Sequence, residues 1–238
     1  MVKRSPIIAA KPPSAMPEET ARQIAALRLD PARPLYVTDA DEVIVSFARP
    51  LEEFLGKQGM RLELRDYRLV GNVHYVSTGE AVERETLFRL IDDFFAAEVD
   101  RQPLVAGAAE ALATLGQTGQ VVILTNVPGA YRQRRSDAFR QLGIHAPVIA
   151  NNGLKGVPVQ ALADRVKAPV VFIDDIELHI RAVADSVPHS YRIHYIADTR
   201  LAAVTPQAPM SHHRASDWSD ILDAIARHLA AASPSTKL

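Results

Sequence analysis

The chain contains no cysteine. That absence removes disulfides, thiolate metal ligands and cysteine nucleophiles together, and it fits a reducing compartment. There is no excess of charge either: 27 Lys and Arg face 28 Asp and Glu, scattered and not gathered into a stripe, so the electrostatic footprint of a nucleic-acid binder is missing. No apolar run approaches the ~20 residues of a membrane span. The run from Ile7 to Ala10, set among prolines, is too short for a signal core. GQTG and GLKG lack the spacing of a nucleotide phosphate loop, and no internal repeat is visible. These absences point to a soluble, cytoplasmic protein with neither nucleic-acid nor membrane partners; they leave its oligomeric state open.

What is present is ordinary globular usage, 47% hydrophobic and 23% charged over 238 residues, enough for one large domain or a domain with an appendage. Residues 1–33 read as an irregular, proline-rich arm with a short helix, TARQIAALRL, and residues 232–238 as a flexible tail. Between them lie five short apolar runs: PLYVTD (34–39), QVVILTN (120–126), APVIAN (146–151), PVVFIDD (169–175) and YRIHYIAD (191–198). Continuous Val, Ile and Leu imply burial on both faces, as in parallel strands covered by helices. Amphipathic stretches alternate with them, which predicts an α/β fold with a doubly wound, mostly parallel, Rossmann-like sheet.

One interval breaks the rhythm. From Asp41 to the strand at Gln120 lie about eighty residues, far more than a loop of such a fold needs, so a folded insertion is expected. We place a small α+β cap at 48–102 and the core at 34–47 and 103–231. PLEEFLGKQG reads as helix, and RLELRDYRL with VHYV as a hairpin around Val70-Gly71-Asn72. GEAVERETLFRLIDDFFAAEV reads as a long helix, with Ser77 and Glu80 as its capping box.

The chemistry-bearing residues follow apolar strands: Asp39 and Asp41 the first, Thr125 and Asn126 the second, Lys155 the third, Asp174 and Asp175 the fourth. In a parallel sheet these ends share one edge, where such folds bind ligands. Two carboxylates ~4 Å apart repel by ~4 kcal/mol at an effective dielectric of 20. Net domain stability is only ~5–15 kcal/mol. Four acids against one lysine therefore need protons or a multivalent cation. Oxygen ligands without cysteine favour Mg²⁺. Lys167, which precedes a strand, would lie on the opposite edge. His179 would sit one turn beyond Asp175, facing core or cap, and His212-His213 reads as a surface loop. In the insertion, Arg65, Arg68, His74 and Tyr75 read mainly as a solvated hairpin face.

The order DxD, a strand ending in Thr, a Lys, and an apolar strand ending in Asp-Asp resembles the haloacid dehalogenase-like (HAD) hydrolases, whose commonest members are Mg²⁺-dependent phosphatases. The resemblance spans Pro34 to Ala230. It implies that Asp39 is the nucleophile and forms an aspartyl-phosphate, and that Asp41 is the general acid and base and offers its carbonyl to the metal. It implies further that Thr125, with Asn126, holds a phosphoryl oxygen. Lys155 would offset charge between nucleophile and phosphate, and Asp174 and Asp175 would close the metal site, Asp175 as the direct ligand. The expected partner is a small phosphorylated substrate, and the expected activity phosphomonoester hydrolysis. A phosphomutase or a catalytically silent binding protein are the alternatives. A dehalogenase or a phosphonatase fits less well, since the second Asp is dispensable there, and a receiver domain carries its acids in a different order. This chain departs from the pattern at Glu42, where the family usually has Gly, and in a cap that mixes helix and hairpin.

Overall fold

A computed structural model describes residues 16–232; the rest of the proline-rich arm and of the tail lies outside the described residues. The elements in chain order are α1 (Glu18–Ala26), β1 (Leu35–Thr38), α2 (Ala48–Lys57), β2 (Met60–Leu62), β3 (Val73–Tyr75) and α3 (Arg84–Glu98). There follow α4 (Ala108–Thr118), β4 (Gln120–Thr125), a 3-10 turn at Gly129–Tyr131, α5 (Arg132–Gln141), β5 (Val148–Ala150) and α6 (Gly156–Ala163). The last are β6 (Val170–Asp174), α7 (Glu177–Ser186), β7 (Tyr191–His194), α8 (Thr199–Val204), β8 (His213–Arg214) and α9 (Trp218–Ala232).

Six strands form one parallel sheet in the order β5-β4-β1-β6-β7-β8. Four of the five apolar runs take interior places, where both of their faces can be covered, and the run at 146–151 forms the edge strand β5. Leu35 and Val37 of β1 point with Val122, Leu124 and Phe172 toward α1, α6 and α7, which contribute Ile24, Leu162 and Val183. Tyr36, Ile123, Val171 and Ile173 point the other way, toward α4 and α9, which contribute Leu112, Leu115, Trp218 and Ile221. Burying Phe172 completely is worth ~2–3 kcal/mol. Trp218 adds a directional tie, its indole N–H donating to the Val43 carbonyl at 2.9 Å, which pins α9 to the loop after β1.

Both sheet edges are protected. At β5, Thr20 Oγ1 donates to the Ala150 carbonyl (2.9 Å) and Gln23 Oε1 accepts the Ala150 N–H (2.8 Å), so α1 uses up the groups a foreign strand would pair with. The other edge, β8, is only two residues long. His213, expected in a surface loop, begins that strand and bonds Asp220 at 2.9 Å.

The segment between β1 and α4 carries α2, α3 and the antiparallel β2–β3 pair around its own cluster, which includes Leu51, Leu55, Leu87, Phe94 and Phe95. Its entry and exit run side by side: Val45 bridges Leu104, and the Ser46 N–H donates to the Pro103 carbonyl at 2.8 Å. Two local expectations need correction. The β2–β3 connection is not a tight turn at 70–72 but a loop over 63–72, tied by Asn72 Nδ2 to Asp66 Oδ1 (2.9 Å) and to the Arg68 carbonyl (2.7 Å). Ser77 and Glu80 do not cap α3, which begins at Arg84 after Glu83. Gly79, at φ 75°, instead turns the chain back so that the Tyr75 N–H donates to the Glu80 carbonyl at 2.9 Å, and the pattern is spent on a turn.

Candidate active site

Asp39 follows β1 and keeps its ladder going, its N–H donating to the Ile173 carbonyl at 2.9 Å. Its Oδ1 accepts the Ala40 N–H (2.6 Å), and its Oδ2 meets Lys155 Nζ at 2.8 Å. The same ammonium lies 2.8 Å from Asp174 Oδ2, so one fully buried lysine bridges the ends of β1 and β6. Lys155 is delivered there by the close approach of α6 to α7. Gly156 follows it, and a Cβ on that glycine would stand 2.4 Å from the Ala182 carbonyl oxygen. Asp174 spends its other oxygen on the Ile176 N–H at 2.9 Å. Asp175 is buried with Oδ1 lacking any hydrogen-bond partner among the described residues, while its carbonyl lies 2.9 Å from His194 Nε2.

Burial pushes the Asp39 carboxyl above its ordinary value; the Lys155 charge pulls it back, and Asp174 and Asp41 push it further up. Asp174 is raised by burial against the pull of Lys155. Asp175 is raised well above the carboxylate range by burial, with the charges of Asp39 and Glu42 adding to it. Burial alone would lower the Lys155 ammonium, but Asp174 and Asp39 outweigh it and raise it, so this group stays a cation.

This donor set fits a hard divalent cation. One oxygen from each of Asp39, Asp174 and Asp175 lies within 4.8 Å of the others, all three residues are buried, and the partnerless Asp175 Oδ1 is among the available donors. The Asp41 carboxylate belongs to a different set. Its Oδ1 accepts from Gln102 Nε2 (2.9 Å) and from an Arg135 guanidinium nitrogen (3.0 Å), and Thr125 Oγ1 lies 3.5 Å from its Oδ2. Arg135 is wholly buried between the rings of Phe95 and Phe139, with its centre 5.9 and 5.6 Å from their centroids. Its remaining nitrogens, Nε and Nη1, have no hydrogen-bond partner among the described residues.

Arg135 and Gln102 were not anticipated from the sequence. For Arg135 a signal existed: Ala138 and Phe139 stand three and four residues on, so the arginine shares their buried helix face. Gln102 carries no comparable signal. Asn126 faces the cavity; its Nδ2 donates to the Gly153 carbonyl (3.0 Å) and its Oδ1 accepts from Asn151 (2.9 Å). His179 lines the same cavity, 3.4 Å from Asn126 Nδ2. Burial and then the Lys155 charge lower its pKa to about 3, so it is neutral. Of the hairpin residues considered, Arg68 lines the cavity, Arg65 is paired with Glu63, and Tyr75 donates to Glu83 at 3.1 Å.

Glu42 shows what occupies the position where glycine is usual in proteins of this pattern. Its φ of 58° is the left-handed conformation a glycine would adopt without strain. Its buried carboxylate accepts the N–H groups of Phe47 (2.8 Å) and Ala48 (2.6 Å) at the start of α2, and that of Asp198 (2.8 Å) before α8. Burial raises its pKa and those three N–H groups oppose the rise. The side chain thus fastens three segments at the rim of the site.

No family model matches the chain, and no curated protein matches it. Solved structures do. A HAD family hydrolase from Deinococcus radiodurans, with bound phosphate and sodium, is 16% identical with a TM-score of 0.57 over 83% of this chain and 97% of that one. The HAD-hydrolase YfnB from Bacillus subtilis, bound to magnesium, is 12% identical with a TM-score of 0.55 over 83% and 100%. The L-2-haloacid dehalogenase PA0810 is 11% identical with a TM-score of 0.52 over 82% and 100%. Identities this low concern the fold and leave the reaction to be argued from the site. The parallel sheet, the order of its strands and these structural neighbours together show that the chain has the fold of the haloacid dehalogenase-like hydrolases.

Proposed function

We propose that the protein is a Mg²⁺-dependent phosphomonoester hydrolase that works through an aspartyl-phosphate on Asp39. The observation that carries this reading is the meeting of Asp39, Asp174 and Asp175 within 4.8 Å, with Lys155 between the first two and with Asp39 and Asp175 lining a cavity. Asp39 and Asp175, with the Asp41 carbonyl, would hold the cation; Asp174 stands in the same cluster, and both of its oxygens already accept from Lys155 and Ile176. When bound, a divalent ion supplies charge neutralisation for the acids and for the phosphoryl oxygens.

Phosphoryl transfer asks the chain mainly for position and compensating charge. The Ala40 N–H and Lys155 fix the Asp39 carboxylate from two sides, so its approach to phosphorus is set before substrate arrives. As an Asp39 oxygen bonds to phosphorus, the phosphorus–ester bond breaks and protonated Asp41 gives its proton to the departing alcohol. Asp41, now a carboxylate, takes a proton from water. That water's oxygen attacks phosphorus, releasing inorganic phosphate and restoring Asp39. In this reading Thr125, beside Asp41, and Lys155, beside Asp39, would meet the phosphoryl oxygens. The test is hydrolysis of an aryl phosphate with and without Mg²⁺, in the parent and in Asp39→Asn. The reading expects activity in the parent with Mg²⁺ alone; equal rates in the two proteins contradict it.

A further inference from the structure

We infer, on the basis of the phosphatase reading above, that the alcohol this site releases is apolar: a cyclic, aryl or branched alkyl body, not a sugar or polyol. A cavity of about 290 Å³ opens from Asp39, Asp41 and Asp175. Its far wall comes from the inserted segment and from the start of α7, through Phe47, Leu64, Leu69, Ile91, Phe95 and Leu178. Phe47 and Phe95 are in ring contact, with centroids 5.9 Å apart, so part of that wall is one aromatic surface.

The polar groups on the wall are mostly committed. Asn126 is bonded on both sides of its amide, to Gly153 and Asn151. Arg68 is neutralised by Asp66, which accepts from its Nε at 2.9 Å. His179 is buried, sits by Asn126 and carries no charge near neutral pH. Glu42 is occupied by three backbone N–H groups. Beyond the acid cluster, that leaves Tyr67, Asn152, the His179 Nδ1, which has no partner among the described residues, and the remaining donors of Arg68 to meet a substrate body, scattered on a wall otherwise of leucine, isoleucine and phenylalanine.

A sugar phosphate would bring four or five hydroxyls into such a space, and hydroxyls withdrawn from water need partners. A few scattered polar groups on an apolar wall do not serve them all. An apolar ring of the same size needs none, and it gains from displacing water against leucine and phenylalanine. The anionic end of the substrate is served separately by Lys155 and the metal cluster, so the cavity divides by chemistry into a charged floor and an apolar chamber.

Cyclohexyl phosphate and inositol monophosphate share one carbocycle and differ by hydroxyls, which makes them a direct comparison. Both are assayed with Mg²⁺ in the parent protein beside acetyl phosphate, a small activated donor that needs no body pocket. The inference predicts a kcat/KM for cyclohexyl phosphate at least ~100-fold above that for inositol monophosphate, the scale on which a hydrophobic pocket discriminates. Leu69→Asn is expected to lower the cyclohexyl value at least ~10-fold and to narrow the ratio. Inositol monophosphate cleaved as well as or better than its apolar counterpart overturns the inference and leaves the phosphatase reading standing. So does cleavage of acetyl phosphate with neither ester touched. If none of the three is cleaved, the phosphatase reading fails, and the substrate class falls with it.

Discussion

The guanidinium of Arg135 donates to Asp41 Oδ1 at 3.0 Å, and the arginine doing so is completely buried. Its cation is held between two phenylalanine rings, an arrangement worth ~0.5–2 kcal/mol that also fixes its direction. Gln102 accepts from the same nitrogen at 2.6 Å and donates to the same carboxylate oxygen at 2.9 Å. The three groups form a closed triangle that leaves Asp41 little freedom to turn.

If that triangle positions Asp41 as the acid for the leaving alcohol, its loss should depend on how much the leaving group needs a proton. Arg135→Lys, which lacks the flat guanidinium that packs against Phe95 and Phe139, should cut hydrolysis of alkyl phosphates by ~100-fold or more, the usual scale of general acid catalysis. p-Nitrophenyl phosphate, whose leaving group departs without help, should lose less than ~10-fold. Equal losses across a leaving-group series would mean that Arg135 serves the fold alone.

Asp175 is raised well above the carboxylate range by burial and by its acidic neighbours, so its ionised form is penalised in the metal-free fold. A raised acid favours folding while protonated and loses that contribution as pH climbs from the ordinary carboxyl range toward its folded value. Metal-free Asp175→Asn should therefore be more stable than the parent at pH 7.5, with the gap closing toward pH 4. Addition of Mg²⁺ should raise the melting temperature of the parent and not of the variant. Thermal melts at the two pH values, with and without Mg²⁺, measure both effects, and an unchanged Mg²⁺ increment in the variant would remove Asp175 from the metal site.

His194 titrates in the opposite sense. Its Nδ1 accepts the Ala208 N–H at 2.9 Å, so the proton of the neutral ring sits on Nε2, facing the Asp175 carbonyl. Burial, then the neighbouring Arg214 charge, lowers its pKa to about 4. The unfolded chain takes up this proton near pH 6.5 and the folded one only near 4, so stability is lost as pH falls through that window. Denaturant titrations of parent and His194→Gln between pH 6.5 and 4.5 should show the parent's slope steeper by up to ~1.4 kcal/mol per pH unit, the value for one proton. Parallel slopes would show that His194 is not the titrating group.

Glu42→Gly tests whether the side chain or the backbone matters more at this position. Glycine would relieve the left-handed strain, worth ~1 kcal/mol. It would also strip a carboxylate from three N–H groups, each such bond contributing ~1.5–3 kcal/mol. The loss is the larger quantity, so the variant should be destabilised by about 3.5 kcal/mol or more in equilibrium denaturation. A neutral or stabilising result would mean that the three bonds contribute far less than their geometry implies.

The sheet was legible because each core strand is a continuous apolar run, and the acids were legible because each closes such a run, as Asp39 and Asp174 do. Where local pattern had no rival, as in α7 and α9, element and sequence agree. The six residues of α8 and the two of β8 are too short to carry a period and were not seen. Ser77 and Glu80 have a helix-start spacing, but Gly79 between them permits a turn, and pairing with β3 won. Arg135 and Gln102 reach Asp41 from 94 and 61 residues away, and no strand-end rule brings them there. Glu42 stood out in the sequence as a departure; its purpose appears only once α2 and Asp198 are packed beside it.

Covalent phosphorylation of the first acid after β1 is the most direct consequence of the whole account. Borohydride reduction of the protein mixed with Mg²⁺ and an aryl phosphate, followed by peptide mapping, should find the side-chain carboxyl of Asp39 reduced to an alcohol, and only when substrate and metal are both present. Reduction at another acid, or turnover with no reducible acyl phosphate and an intact Asp39, would contradict it.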